Sequence, residues 1–303
     1  MSGAQTRCGY VAVIGVPNAG KSTLINTLVG GKVSIVSSKV QTTRARVLGI
    51  CTEDQSQIIF VDTPGIFDPG KNKPLEKAIV AAAWEGTEGA DFIVFMVDAS
   101  KPSFKKVLSV LERLKQQERQ RVLLVLNKID KIRPSVLLEL SRDLNKHFPF
   151  EASFMVSALK GSGVSDLMTY LAQRLPEGPF LYPADQMTDM PLRLLAAEIT
   201  REKLFRSLRE ELPYSLTVET ENWEVFENGS VKIEQIIYIA RDDHKKIILG
   251  KGGEMIKKIG EASRVELEDI LERRVHLKLF VKTRENWMDK AEHYALWGLD
   301  SNA

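Results

Sequence analysis

Gly15-Val16-Pro17-Asn18-Ala19-Gly20-Lys21-Ser22 follows the apolar run Tyr10-Val11-Ala12-Val13-Ile14 and leads into Thr23-Leu24-Ile25-Asn26-Thr27-Leu28. This is a strand, a glycine-bounded loop and a helix, the setting that a Gly-x-x-x-x-Gly-Lys-Ser phosphate loop requires. The glycines let successive backbone N–H groups curl inward as an anion nest. The N-terminus of the following helix adds partial positive charge. In such a loop Lys21 reaches the β- and γ-phosphates, and the Ser22 hydroxyl ligates Mg²⁺.

The chain has 303 residues, room for two domains. Two cysteines, Cys8 and Cys51, stand far apart, and four histidines are scattered. That pattern argues against a disulfide framework or a zinc site and for a reducing compartment. No run reaches the length needed to span a bilayer, and the first residues lack an apolar signal core. The expectation is a soluble, cytoplasmic protein. The net charge is +2, yet residues 1–180 carry 23 Lys and Arg against 17 Asp and Glu, while residues 181–303 carry 19 against 23. Nucleic-acid binding by the second half therefore needs a local basic patch.

Apolar runs at Val11–Ile14, Ile58–Val61, Phe92–Val97, Val122–Leu126 and Phe154–Val156 read as strands buried on both faces. Helical patterns lie between them at Lys21–Val29, Pro74–Glu88, Ser103–Glu118 and Pro134–Phe148, with a last helix over Asp166–Leu175. Arg46–Thr52 is expected to pair antiparallel with Gln57–Val61. The alternation predicts an α/β fold, a mostly parallel sheet flanked by helices. The proline-rich stretch from Pro176 to Pro191 reads as a linker. The expected division is residues 1–177, a linker over 178–190, and 191–303. The second part reads as a helix over Pro191–Glu211, strands over Ser215–Glu224 and Val231–Ala240, two helices around Gly250–Gly253, and a strand over Val275–Lys282. That order is α-β-β-α-α-β.

Four more stretches follow the phosphate loop. Asp62-Thr63-Pro64-Gly65, followed by Ile66, ends the strand Ile58–Val61. Its aspartate can hold Mg²⁺ through a water, and the Gly65 amide can sense a γ-phosphate. Asn127-Lys128-Ile129-Asp130 ends another strand. The Asp130 carboxylate can accept the N1–H and the exocyclic amino group of guanine; adenine would leave it unpaired, which is costly. The Lys128 stem can lie over the base plane. Ser157-Ala158-Leu159 can offer a backbone N–H to the guanine O6. In Val40-Gln41-Thr42-Thr43-Arg44 a threonine can complete the Mg²⁺ shell only while GTP is bound. Two threonines compete, and Thr43 is the expectation. Lys21, Thr43, Gly65 and Asn18 are the residues expected to serve hydrolysis.

Together these motifs resemble the translation-factor-like class of P-loop GTPases. With Gln41-Thr42-Thr43-Arg44 and a carboxyl-terminal nucleic-acid module, they resemble the bacterial Era family along essentially the whole chain. The resemblance implies a GTPase domain followed by a type II KH domain. It implies GTP and GDP as ligands, Mg²⁺ as cofactor, and hydrolysis of GTP to GDP and phosphate. In loops that resemble this Gly-x-Pro-Asn-x-Gly-Lys-Ser stretch the matching asparagine can help hold a potassium ion beside the phosphates, so the resemblance leaves Asn18 either that role or only that of shaping the loop. It implies recognition of the 3′ end of 16S rRNA, maturation of the 30S subunit by a monomer, and association of some members with the inner face of the membrane. A membrane role gets no support from a lipidation motif or an amphipathic basic helix.

The residues themselves also support a KH reading. Gly250-Lys251-Gly252-Gly253 joins an apolar helical turn to the helix starting at Glu254. A Gly-x-x-Gly loop lets backbone approach a strand of nucleotides, with helix N–H groups facing phosphates. Lys245, Lys246, Lys251, Lys257 and Lys258 form the local basic patch. Ile236, Ile247 and Ile256 are the expected apolar floor for unstacked bases. In the tail, Lys282 and Arg284 are further candidate RNA contacts. The aromatics Trp287, Tyr294 and Trp297 read either as stacking platforms or as packing of a terminal helix.

Overall fold

The computed structural model describes residues 5–39, 42–44, 46–70, 73–117, 121–285 and 287. Among them the chain forms two compact units, one of residues 5–36 and 43–189, the other of residues 37–42 and 190–287.

The first unit is a six-stranded sheet built from β1 (Arg7–Gly15), β2 (Val47–Glu53), β3 (Ser56–Asp62), β4 (Phe92–Asp98), β5 (Val122–Asn127) and β6 (Ala152–Val156). The strand order is β2-β3-β1-β4-β5-β6, and every pairing is parallel except that of β2 with β3. Helices α1 (Lys21–Val29), α2 (Pro74–Glu85), α3 (Phe104–Leu114), α4 (Pro134–His147) and α5 (Val164–Arg174) connect and flank the strands. β3 and β5 are buried at every position, which is why they read as unbroken apolar runs. α2 stops at Glu85, short of the expected end, where the Thr87 hydroxyl donates to the Trp84 carbonyl at 2.7 Å. α3 stops at Leu114, where the Gln116 and Gln117 N–H groups turn back to carbonyls three residues earlier. Glu118, the expected end of that helix, lies outside the described residues.

β1 has β3 on one side and β4 on the other, so the strand order reverses at its carboxyl end. In open α/β sheets that reversal opens the ligand crevice. The phosphate loop sits there, between β1 and α1. The proline-rich stretch after α5 packs on this unit. Gln57, fully buried, accepts the N–H groups of Leu181 and Tyr182 on Oε1 and donates to the Tyr182 carbonyl at 2.8 Å. The Ile50 N–H donates to the Met187 carbonyl at 2.8 Å.

The second unit contains α6 (Leu192–Ser207), β7 (Leu216–Val225), β8 (Val231–Ile239), α7 (Asp243–Leu249), α8 (Glu254–Leu271) and β9 (Val275–Thr283). Its sheet runs β7-β8-β9, with β7 antiparallel and β9 parallel to β8. α6 ends four residues before the sequence suggested. Leu208 turns extended and buries its side chain in the core beside Leu204, Phe205 and Leu212, and Pro213 follows in a short 3₁₀ turn. Ile237 and Ile239 of β8 pack with Ile248 and Ile259 of the helices, while Ile233 packs with Leu195 and Ile199 of α6. Odd-numbered β8 residues therefore face the helices. Residues 37–39 and 42 group with this unit, where Arg201 Nη2 donates to the Thr42 carbonyl at 2.5 Å. Trp287 is buried and its Nε1 donates to the Ser215 carbonyl at 3.1 Å, which is packing rather than an open stacking platform. Tyr294 and Trp297 lie outside the described residues.

Candidate nucleotide and nucleic-acid sites

Apart from Thr43, which lies in the loop before β2, the nucleotide-site candidates lie at the carboxyl ends of strands in the first unit. The phosphate loop leaves β1, Asp62 ends β3, Asn127 ends β5, and Ser157 follows β6. Lys21, the first residue of α1, is buried, and its Nζ donates to the Gly15 carbonyl at 3.1 Å. Burial pushes its ammonium down to about 8, with the neighbouring Asp62 carboxylate opposing the shift. Asp62 is also buried, and desolvation lifts its pKa against the pull of Lys21.

Ser22 Oγ donates to Asp62 Oδ2 at 2.8 Å and lies 2.9 Å from Thr43 Oγ1. Asp62 Oδ1 is buried with no hydrogen-bond partner among the described residues. Three oxygen groups thus converge, with one carboxylate oxygen orphaned in the interior. Hard oxygen donors of this kind suit Mg²⁺. Thr42 is turned elsewhere: its Oγ1 donates to the Lys39 carbonyl at 2.7 Å and sits 2.7 Å from Ser37 Oγ. Val40 and Gln41 lie outside the described residues.

The Asn127 side chain binds two loops at once. Its Nδ2 donates to the Ala19 carbonyl at 2.8 Å, and its Oδ1 accepts the Ala158 N–H at 3.0 Å. A side chain at Gly20, where φ is 100°, would place Cβ only 2.3 Å from Asn127 Nδ2. That position has both a left-handed backbone and no room. Lys128 is left-handed as well, with φ 67°, and its Nζ donates to the Asn18 carbonyl at 2.8 Å and to Asp98 Oδ2 at 2.6 Å. Asp130 accepts the Ser157 hydroxyl at 2.6 Å, and this bond holds its carboxyl below the usual range. Leu159 is 79% exposed, and Ile129 packs against the core. Thr63 donates to the Val13 carbonyl at 2.8 Å, which fixes the Pro64-Gly65 turn against β1. The Ile66 side chain is buried and its N–H donates to the Gly15 carbonyl at 3.1 Å.

Asp98 and Ser100 belong to this constellation and were not singled out from the sequence. Ser100 donates its hydroxyl and its N–H to Asp98 Oδ1, at 2.6 and 3.0 Å. The only sequence signal was an Asp-Ala-Ser turn at the end of β4, which equally suits the approach to a helix.

In the second unit Gly250-Lys251-Gly252-Gly253 joins α7 to α8, with φ of 73°, 61° and 83° at the three glycines. Lys245, Lys246, Lys251, Lys257 and Lys258 are all exposed around it. Ile247, 52% exposed, and the half-buried Ile256 stand on the helices beside the loop. Ile236 does not join them. It is an even-numbered β8 residue, paired with Phe280, so its side chain leaves the opposite face of the sheet. Lys282 pairs with Tyr238 on that same far face. Arg284 is engaged there: Nη1 donates to Glu219 Oε1 at 2.6 Å, and the guanidinium lies 3.4 Å from the Tyr238 ring centre.

Among known proteins, residues 10–128 match the family described as "50S ribosome-binding GTPase", and residues 211–288 match the KH domain. GTPase Era of Dinoroseobacter shibae is 54% identical over 299 residues, covering 98% of this chain and 96% of that protein. GTPase Era of Sinorhizobium medicae is 56% identical over 295 residues, covering 97% and 94%. A tyrosine-to-alanine variant of Aquifex aeolicus Era, bound to GDP·AlF₄⁻, superposes with a TM-score of 0.92 at 41% identity, covering 97% of this chain and 99% of that one. A structure of Era with MgGDPNP and nucleotides 1506–1542 of 16S ribosomal RNA gives the same TM-score at 42% identity and the same coverage. With more than half its residues shared with curated relatives along almost its whole length, and a GTPase and a KH domain matched in order, the chain belongs to the Era family of GTPases.

Proposed function

We propose that this GTPase is a molecular switch that binds the 3′ end of 16S rRNA and acts in maturation of the small ribosomal subunit, as a cytoplasmic monomer. The observation that carries the reading is one chain holding two sites: a guanine-nucleotide crevice at the carboxyl ends of the strands, and a basic Gly-x-x-Gly loop on an α-β-β-α-α-β unit. The Era relative solved with a 16S rRNA segment supports the choice of RNA.

In this reading backbone N–H groups of the phosphate loop, which Pro17 does not supply, and the Lys21 ammonium hold the β- and γ-phosphates. Phosphate oxygens offset the desolvation that depresses Lys21 in the protein alone. Ser22, Thr43 and Asp62 would hold Mg²⁺, which when bound neutralises charge on the β- and γ-phosphate oxygens. The Gly65 amide and Thr43 report the γ-phosphate. A ligand shifts a conformational equilibrium only through such differential contacts. Asp130 selects guanine, Lys128 covers the base, and the loop at Ser157–Leu159 closes its O6 edge. A potassium ion near Asn18 is a further proposed cofactor.

Turnover with and without an RNA carrying the 16S 3′ end tests the proposal. A change of tenfold or more, absent with an RNA of scrambled sequence, is expected. Equal turnover in all three conditions would leave GTP as a passive ligand and end the switch reading.

A further inference from the structure

Lys128 is unusual among the nucleotide-site residues in how it is held. Its backbone is left-handed at φ 67°, a conformation with a steric cost for a residue bearing a Cβ. Its ammonium bridges two acceptors that come from different strands' ends, the Asn18 carbonyl after β1 and Asp98 Oδ2 on β4. Asp98 is itself fixed. It ends β4 in register with Asn127, and the Ala99 N–H donates to the Asn127 carbonyl at 2.9 Å. Its second carboxylate oxygen takes both Ser100 donors. The pair is partly buried, with the Lys128 side chain 26% and the Asp98 side chain 15% exposed, so solvent screens it less than a surface pair. Burial raises the Asp98 pKa, but the Lys128 and Ser100 bonds outweigh it and leave the carboxyl below its usual range.

We propose that Asp98 is a positioning residue of the guanine site, acting through Lys128 and oriented by Ser100. It rests on the assignment of Lys128 to the base. A lysine stem covers a ring only if both of its ends are fixed. The left-handed backbone fixes one end. Asp98 and the Asn18 carbonyl fix the other, so that the four-carbon stem is held at both ends before nucleotide arrives. Without Asp98 the ammonium keeps one anchor, a neutral carbonyl on the exposed Asn18, and returns to water in a larger share of conformers. Base binding then has to order the side chain, which weakens it. Base identity is unaffected, because Asp130 reads the donor pair on the ring.

The test is the dissociation rate of a fluorescent GDP from the full chain carrying Asp98→Asn, Lys128→Ala, both, or Ser100→Ala. Asp98→Asn keeps the shape and the acceptor for Ser100 while removing the charge. It is expected to speed dissociation about tenfold in the intact chain. In the Lys128→Ala background the same change should be under twofold, since the two residues act as one unit. Preference for GDP over xanthosine diphosphate should be retained in Asp98→Asn. An effect under twofold in the intact chain, or one equally large in the Lys128→Ala background, overturns the proposal. So does a lost base preference, which would mean that Asp98 acts on the base directly. Lys128→Ala dissociating at the wild-type rate would instead overturn the base-site assignment beneath it. Should Asp98→Asn lose its fold by circular dichroism, Ser100→Ala decides: a two- to threefold faster release supports the proposal, and an unchanged rate overturns it.

Discussion

Asn127 donates its side-chain amide to the Ala19 carbonyl at 2.8 Å, across 108 residues of sequence. The same amide group accepts the Ala158 N–H on its oxygen, so one residue braces the phosphate loop and the base loop together. Asn127→Asp exchanges the donor for an anion facing a carbonyl. Leaving a buried polar group without its partner costs roughly 1–3 kcal/mol, and more for a charge. The expected result is at least a tenfold loss of GDP affinity by calorimetry, with a denaturation midpoint lowered by a matching amount. Wild-type affinity in a folded variant would show that the brace does not shape the site.

Asp130 is oriented by the Ser157 hydroxyl and stays ionised at neutral pH. Asp130→Asn converts one acceptor into a donor. It should weaken GTP binding by two to three orders of magnitude, given the cost of mispaired polar groups, and admit xanthosine triphosphate. Undiminished GTP affinity would remove Asp130 from the guanine edge.

Much of this site was legible beforehand because its motifs sit at strand ends, and the strands are apolar runs too plain to misread. The parallel sheet, the antiparallel β2–β3 pair and the order of the KH unit all followed from periodicity and spacing. Asp98 escaped because its role is set by a lysine 30 residues away that is brought near only by the β4–β5 pairing. Ile236 was misassigned for a different reason. In β8 Lys232 and Glu234 mark the even-numbered face as the one away from the helices, but the run Ile236-Ile237-Tyr238-Ile239 hides that alternation at the carboxyl end of the strand. The end of α6 was misjudged because Leu208 and Leu212 continue an apolar pattern while packing from a turned chain.

The three glycines of the proposed RNA-binding loop differ in what surrounds them. A Cβ at Gly250 would lie 2.7 Å from Met255 Cβ, whereas Gly253 has nothing within 4 Å. Gly253→Asp therefore fits, at the cost of about 1–2 kcal/mol for a left-handed side-chain residue. It places negative charge where phosphate is proposed to lie. RNA affinity should fall tenfold or more while GDP binding is unchanged. Gly250→Ala should instead lower the stability of the unit, because the clash is with the start of α8. Full RNA affinity in a folded Gly253→Asp variant would take the proposed RNA contact off this loop.

Phosphate contacts act through counterion release, so each one contributes about 1 to the salt slope of binding. Lys251→Ala should lower the slope by that amount. Arg284→Ala removes a side chain already paired with Glu219 and stacked on Tyr238, on the face away from the loop. It should reduce stability and leave the slope alone. A slope that falls with Arg284→Ala and not with Lys251→Ala would move the RNA path to the far face of the sheet.

The hydrolytic machinery lacks a side chain to orient water after Gly65. Ile66 occupies the place where Ras-like proteins carry a glutamine, and its side chain is buried in the core while its N–H is spent on Gly15. An isoleucine has no donor or acceptor, so the stabilisation must come from elsewhere. Asn18 is a polar candidate in the loop. It is exposed, its backbone is left-handed at φ 65°, and its carbonyl is already committed to Lys128. That leaves the side-chain amide oxygen for a cation beside the phosphates, where positive charge would act in the transition state as an arginine finger does. Turnover in potassium should exceed turnover in sodium at equal ionic strength by tenfold or more, and Asn18→Ala should erase the difference while GDP still binds. Equal rates in the two salts would exclude a potassium site. A preference that survives in Asn18→Ala would place the ion on other ligands and return Asn18 to shaping the loop.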